Sequence, residues 1–357
     1  MTNNMMFLAL CVFLIAAGTG LIAMPVIIKQ LQKRNVLDIP NERSSHSAPT
    51  PRGGGIGIVS IWTIGIIAGL FLNIVHGDSF IFAALGGVIT LAFLGFDDDQ
   101  KNLSPLLKLI IQGGIAAAAI WFSGIPLTTF DFPFIPEHVL GFSGWIFAWL
   151  WLVGFTNIFN FMDGANGLAG SQILFAGVAF SVLGIGINDT QLMFTGALVA
   201  GAALGFLKYN FPIAKVFMGD VGSLPAGFLL ALMVLRAAEG PAANQVTIAT
   251  PLLFIWPFLY DGAYTLINRI AHGRNPFRPH RSHLYQRVMI AGATHEQITT
   301  RYAAGMVFCA SGGFGMLIFS NRWDAFIGLF LLGVSVVLSV RTVLKIRATM
   351  TIGSNGK

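Results

Sequence analysis

The sequence predicts an all-α, polytopic integral membrane protein with about eleven transmembrane helices. Three observations carry that prediction. Of the 357 residues 55% are hydrophobic and only 10% are charged, against roughly a quarter charged in soluble domains. The apolar residues gather in runs of about 20, the length that crosses a bilayer as a helix. Lys and Arg are confined almost entirely to alternate connections between those runs.

In chain order the runs fall at 5–28, 54–75, 80–96, 105–123, 145–161, 168–187, 191–207, 223–238, 247–267, 302–319 and 324–343. The first run lacks a small-residue cleavage site followed by a soluble domain, so it reads as a retained span rather than a removed leader. No internal repeat interrupts the series, and the whole chain, 1–357, reads as one transmembrane domain. The two cysteines, Cys11 and Cys309, lie inside apolar runs, which argues against a disulfide framework or a cysteine metal site.

Orientation follows from the basic residues. With the N-terminus outside and the C-terminus in the cytoplasm, the inside segments are 29–53, 97–108, 156–167, 208–221, 268–299 and 341–357. Of the 21 Lys and Arg, only Arg236 and Arg322 fall outside, and Arg301 sits at a boundary. The formal charge of +6 is therefore a topology signal and an attraction for anionic substrates, and it does not point to nucleic acid. The cytoplasmic loops proper are expected at 29–53, 97–104, 156–167, 208–221 and 268–299. Among outer connections only 124–144 is long; its Pro and Phe content reads as a cover at the interface.

The unusual polar residues all fall on the inner face. Asp97-Asp98-Asp99 follows directly on an apolar run. One charge at mid-bilayer costs about 2.5–3.5 kcal/mol on insertion scales, so the triplet belongs at the water edge. There it is either a solvated helix end or the seat of a hard divalent cation, which takes oxygen ligands, waters and a substrate phosphate. Arg52-Gly53-Gly54-Gly55 opens the next span. It is a tight helix entry, or a site where Arg52 and free amides hold a phosphate.

Asn157, Asn160 and Asp163 are spaced by three and share a helix face. They form an interhelical seam, or donors and acceptors for a nucleobase or sugar with Asp163 as metal ligand or base. Gly219-Asp220-Val221-Gly222-Ser223 is a capping turn or a compact metal site. Asp261, inside the ninth run, is a functional carboxylate or the partner of Arg269. The segment 268–299 carries Arg278, His280, Arg281, His283, Tyr285 and Gln286, a set suited to phosphate oxygens as well as to topology.

Four of these pieces together resemble one family. They are Gly95-x-x-Asp98-Asp99, Asn157-x-x-Asn160-x-x-Asp163-Gly164-x-x-Gly167, Phe217-Met218-Gly219-Asp220-x-Gly222-Ser223, and His280-Arg281-Ser282-His283-x-Tyr285. The family is the polyprenyl-phosphate N-acetylhexosamine-1-phosphate transferases, glycosyltransferase family 4. The span layout is most similar to its O-antigen-initiating members. The resemblance implies transfer of a GlcNAc-, FucNAc- or QuiNAc-type sugar 1-phosphate from a UDP-N-acetyl sugar to undecaprenyl phosphate. UMP leaves, and a lipid-linked O-antigen or other envelope glycan begins on the cytoplasmic side of a bacterial inner membrane.

By the same resemblance Asp98, Asp99, His280 and His283 are catalytic. Asn157, Asn160, Asp163, Arg52 and Arg281 bind substrate, and Asp220, Asp98 and Asp163 hold Mg²⁺, with Mn²⁺ as the alternative ion. Asp97 occupies a usually apolar slot. The expected partners are the two substrates and membrane lipids, with a homodimer left open. Asn166 stands where many members carry Asp, and His-Arg-Ser-His replaces consecutive histidines; both argue against a muramoyl-pentapeptide substrate. Two other classes remain at this point, a transporter with a carboxylate-lined path and a membrane lipid phosphatase. A transporter would place its ionisable groups near mid-bilayer at broken helices. A phosphatase would not need the Asn-rich stretch.

Overall fold

The structure is a computed structural model that describes residues 2–40, 48–132, 135–241, 246–275 and 281–318. His280, Arg278 and the eleventh expected span, 324–343, lie outside the described residues. Within them the chain is helical apart from two short antiparallel ribbons. Strands β1 (Leu37–Asp38) and β2 (Thr50–Pro51) pair with each other, as do β3 (Thr129–Phe132) and β4 (Ile135–Val139). The all-α expectation is corrected to that extent. The second ribbon occupies the Pro- and Phe-rich connection, and its entry is held by Glu239, whose carboxylate accepts from the Thr128 amide at 2.9 Å.

Among the described residues, eight helices are long and apolar enough to cross a membrane. They are α1 (Thr2–Lys33), α3 (Ser79–Lys101), α4 (Pro105–Ser123), α5 (Ser143–Met162), α6 (Leu168–Gly186), α7 (Thr190–Asn210), α8 (Asp220–Glu239) and α12 (His295–Ile318). A shorter apolar helix, α2 (Gly55–Phe71), covers the second expected span. The ninth, expected as one helix over 247–267, is two: α9 (Ala249–Phe254) and α10 (Trp256–Ala271), separated at Ile255 ahead of Pro257. Proline lacks the amide that would continue the ladder, and it is tolerated at the first turn of a new helix. The small helix α11 (Leu284–Ile290) lies within the segment expected as an unbroken loop.

Helix ends follow local chemistry. Asp78, Ser104 and Asp189 cap α3, α4 and α7, each accepting from an amide three residues on. Asn102, in the left-handed region at φ 50°, ends α3. Its position makes a further correction, because the expected loop 97–104 is mostly helix. The Asp triplet therefore forms the last turns of α3.

Helix α8 is the axis of the bundle. Every residue from Asp220 to Ala237 is buried, and α3, α5, α2 and α6 pack around it. Its sequence is apolar on all sides, the pattern of a helix with no solvent or lipid face. In lipid the attraction between helices comes from close packing, so small residues mark the seams. At the α2–α8 seam a Cβ on Gly55 would collide with the Gly222 backbone, and at the α3–α8 seam a Cβ on Gly95 would collide with the Asp220 carbonyl. The outer helices turn bulky side chains outward, including Phe7 at 70%, Phe93 at 72% and Trp121 at 75% exposure. A continuous exposed apolar surface of this kind is a membrane surface.

Gly55→Val is expected to lower the thermal midpoint in detergent, with a cost of about 1–3 kcal/mol from overpacking. Gly18→Ala, where a Cβ meets nothing, should leave the midpoint unchanged. Equal midpoints for both variants would refute the close α2–α8 contact.

Candidate active site

At one end of the bundle the last turns of α3, the first turn of α4, the end of α5 and the start of α8 meet. Their carboxylates are laced together by two cations. Arg52 Nε lies 2.8 Å from Asp99 Oδ1, and Arg52 Nη2 lies 3.0 Å from Asp220 Oδ1. Lys108 Nζ lies 2.7 Å from Asp98 Oδ2 and 3.6 Å from Asp220 Oδ2. Asp220 is thus shared between Arg52 and Lys108.

The three adjacent aspartates have three fates, because consecutive helical residues point about 100° apart. Asp97 faces outward, half exposed, and among the described residues pairs only with Lys101 one turn on. Asp98 faces α4, taking the Leu103 amide at 2.8 Å on one oxygen and Lys108 on the other. Asp99 faces α8 and accepts from the Asp220 amide at 2.9 Å and the Val221 amide at 3.2 Å. It therefore supplies, from a distant helix, the cap that the first amides of α8 otherwise lack. Gly219, at φ 74°, makes this approach feasible; a Cβ there would stand 2.5 Å from Asp99 Oδ2. Asp99, expected as catalytic, has a side chain only 2% exposed and behind Arg52. Its carboxylate is taken up by Arg52 and the first amides of α8.

The glycine triplet also differs from its phosphate-binding reading. The amides of Gly53 and Gly54 donate to the Phe217 carbonyl at 3.2 and 2.8 Å, and that of Gly55 donates to the Met218 carbonyl at 2.9 Å. They tie the start of α2 to the strand-like entry of α8 and are not free for an anion. Arg52 is the part of that motif that reaches the site.

Asn157 donates to Gln112 Oε1 at 2.6 Å, and Asn160 to Ser223 Oγ at 2.8 Å. Both amides stitch α5 to its neighbours, as the seam reading requires, and both line the same end of the bundle. Asp163 follows the end of α5. Burial, reinforced by the Asp220 carboxylate and by Asp99, holds its carboxyl well above the usual carboxylate range, against the pull of Arg52. Among the described residues, the carboxyl groups of Asp98, Asp99 and Asp220 are met by two cations, Arg52 and Lys108, and Asp163 stands beside them.

Asp98, Asp163 and Asp220 share this pocket without closing into a ligand set, and no cluster of three ligating side chains occurs among the described residues. The donors nonetheless fit Mg²⁺, which usually takes one or two protein carboxylates and completes its octahedron with waters and substrate phosphates. Asp220 and Asp98, with Asp163 beside them, would hold it.

His283 is buried, with Nδ1 at 3.2 Å from Asp261 Oδ1 and its ring centroid 6.0 Å from that of Phe161. Arg281 is exposed at the same end. Lys108 is the site residue that the motifs missed. Its signal was present: a single charge four residues into an otherwise apolar helix, with Gln112 one turn further on the same face.

The glycosyl transferase family 4 model matches residues 81–238, from α3 through α8. The chain is 29% identical over 313 residues to the probable undecaprenyl-phosphate N-acetylglucosaminyl 1-phosphate transferase of Bacillus subtilis (strain 168), covering 87% of this chain and 86% of that protein. It is 28% identical over 359 residues to the decaprenyl-phosphate N-acetylglucosaminephosphotransferase of Mycobacterium leprae (strain TN), covering 92% and 86%. It is 33% identical over 249 residues to the phospho-N-acetylmuramoyl-pentapeptide-transferase of Streptococcus uberis (strain ATCC BAA-854 / 0140J), covering 63% and 72%. The matched region carries Asp98, Asp99, Lys108, Asn157, Asn160, Asp163 and Asp220, the residues that the bundle gathers at one end. This multi-pass membrane protein belongs to the polyprenyl-phosphate N-acetylhexosamine-1-phosphate transferases, an enzyme family that joins phosphosugars to lipid carriers.

Proposed function

We propose that the protein transfers N-acetylglucosamine 1-phosphate from its UDP-sugar to undecaprenyl phosphate, with Mg²⁺, at the cytoplasmic face of a bacterial inner membrane. GlcNAc is favoured over FucNAc and QuiNAc because the relatives matched over most of this chain are named for it. The lipid-linked product begins an envelope glycan, of which O-antigen is one kind. The observation that carries the reading is the position of Asp220 between Arg52 and Lys108.

Both substrates are phosphate anions, and their approach is opposed by repulsion. Arg52 and Lys108 each sit on a carboxylate that a phosphate oxygen can replace, so the two side chains can move from carboxylate to substrate without crossing the pocket. Arginine offers a planar fork for such oxygens, and lysine a compact point charge. Mg²⁺, when bound, supplies two further positive charges to the diphosphate. Asp98, beside Lys108, orients the lipid phosphate and takes its proton when it arrives protonated. A lipid phosphate oxygen then bonds to the phosphorus that carries the sugar. The bond from that phosphorus to the UMP oxygen breaks, and UMP leaves with the electron pair. Catalysis of this kind is positioning plus charge stabilisation. Further along the same two helices, a cleft of about 660 Å³ between α3 and α4 runs from Asp78 and Ser79, at the Arg236 end, to Thr90 and Ile115, and offers an apolar wall to the distal part of the acceptor tail.

The test is incubation of the purified protein with undecaprenyl phosphate, Mg²⁺ and a panel of UDP-N-acetyl sugars. UMP and a lipid diphosphate sugar of the GlcNAc mass are expected, with neither formed after chelation. No UMP from any member of the panel would overturn the transferase reading, and product from another sugar alone would overturn the choice of GlcNAc.

A further inference from the structure

Asp261 is fully buried in α10, and its carboxylate is met by groups from three separate segments. The amides of Leu284 and Tyr285 donate to it at 2.9 and 3.1 Å. The hydroxyls of Thr265 and Tyr302 donate at 3.2 and 2.6 Å, and His283 Nδ1 lies at 3.2 Å. Leaving a carboxylate buried without partners costs far more than ordering the groups that satisfy it. The sequence alternative, a pair with Arg269, does not form; Arg269 donates to the Asn275 carbonyl at 2.5 Å and to Ser282 Oγ at 3.4 Å. Asp261 takes the first amides of α11 instead, amides that a helix start leaves open. The start of α11 is therefore set by a side chain of α10.

The next contact leads to the active site. Tyr285 donates its hydroxyl to the Phe161 carbonyl at 3.0 Å, and a Cβ on Gly164 would collide with that hydroxyl. Burial, then the charges of Asp261 and Asp163, raise the phenol far above its ordinary pKa, so it remains a donor. The turn between Phe161 and Gly167 carries Asp163. Helix α12 grips the same turn: Thr299 Oγ1 donates to the Asn166 carbonyl at 2.7 Å, and the Asn166 amide donates to His295 Nδ1 at 3.1 Å.

We propose that Asp261 is a positioning residue of the transferase site, which locks the His283–Tyr285 segment between α10 and α12 so that Tyr285 holds the Asp163 turn beside Asp220. Asp261 does not itself reach a substrate. Among the described residues no ion pair holds Asp163, and its place follows from this turn. The kinetic consequence rests on the transferase reading above; the structural one does not.

The experiment compares Asp261→Asn and Tyr285→Phe with wild type in the full-length protein in detergent, by amide exchange and steady-state kinetics. Both variants should speed exchange of the 163–167 amides by about tenfold or more. Asp261→Asn should also speed exchange at 284 and 285. For both, kcat should fall about 10- to 100-fold, the scale of a misplaced reacting group. KM for the UDP-sugar should rise while KM for undecaprenyl phosphate holds, a split that general loosening of the bundle does not produce. If Asp261→Asn does not fold, Tyr285→Phe, which removes one hydroxyl, decides alone. Unchanged exchange at 163–167, or faster exchange with wild-type kcat and KM, overturns the proposal. A wild-type protein that releases no UMP refutes the transferase reading instead, and the exchange data still judge the lock.

Discussion

Asp220→Asn is expected to reduce UMP release by about 10²–10³-fold or more, the cost of removing one preorganised charge from a site built on electrostatics. Asp220 is where the two halves of the pocket join, since Arg52 and Lys108 both contact it. Asparagine keeps the size and loses the charge, so both cations lose a shared partner and the proposed Mg²⁺ site loses a ligand. The fold should survive, because the capping bonds from Asp99 run to the backbone amides of residues 220 and 221, not to the Asp220 side chain. Asp97→Asn is the matched control. Asp97 is half exposed and among the described residues pairs only with Lys101, and an exposed pair within one helix is worth a few tenths of a kcal/mol. Its activity should stay within about twofold of wild type, in keeping with so small a term. Wild-type turnover in Asp220→Asn, or an equal loss in Asp97→Asn, would undo this assignment of roles.

The largest stability effect is expected at the opposite end of the bundle, from Arg236→Leu. Arg236 is buried near the end of α8 and serves two carboxylates on other helices. Its Nη1 lies 2.8 Å from Asp78 Oδ2, its Nε lies 2.7 Å from Asp189 Oδ2, and its guanidinium stands 5.1 Å from the Phe80 ring centroid. Asp78 and Asp189 also cap α3 and α7. One arginine therefore fastens the starts of two helices to the end of a third. Removing one member of a buried ion network leaves uncompensated charge and costs about 3–5 kcal/mol. A lower thermal midpoint and lower yield in detergent are expected. Kcat per folded molecule should stay close to wild type, since the acidic pocket lies at the other end of α8. Asp189→Asn in the same background should recover part of the loss by removing one stranded charge. A wild-type midpoint for Arg236→Leu would show that the network contributes nothing.

The two ends of α8 show which features were legible in the sequence. The acidic end was visible because charge next to an apolar run is rare and has few explanations. Asp98, Asp99, Asp163 and Asp220 were all found, and they do converge. The role of Asp99 was not visible. A carboxylate that caps a helix 121 positions away leaves no local trace, and only the packing of α3 on α8 sets it apart from Asp98. Lys108 was counted as a topology signal because its partner is ten residues back across a turn. The glycine triplet invited a phosphate because free amides suit anions; the structure spends those amides on the Phe217 and Met218 carbonyls. Arg236 was tallied as an outside charge, yet it is paired with two carboxylates at once.

By itself the sequence determined the class of protein, a largely helical multi-pass membrane protein, and the acidic residues that gather at one end of the bundle. Those properties follow from transfer free energies and helical periodicity, which act over one to twenty residues. The tertiary structure alone decided which carboxylate pairs with Lys108, which caps a helix, and which, like Asp261, takes the first amides of a neighbouring helix. Each of those roles is fixed by a partner brought close through the packing of helices distant in the chain, and no local pattern encodes the partner.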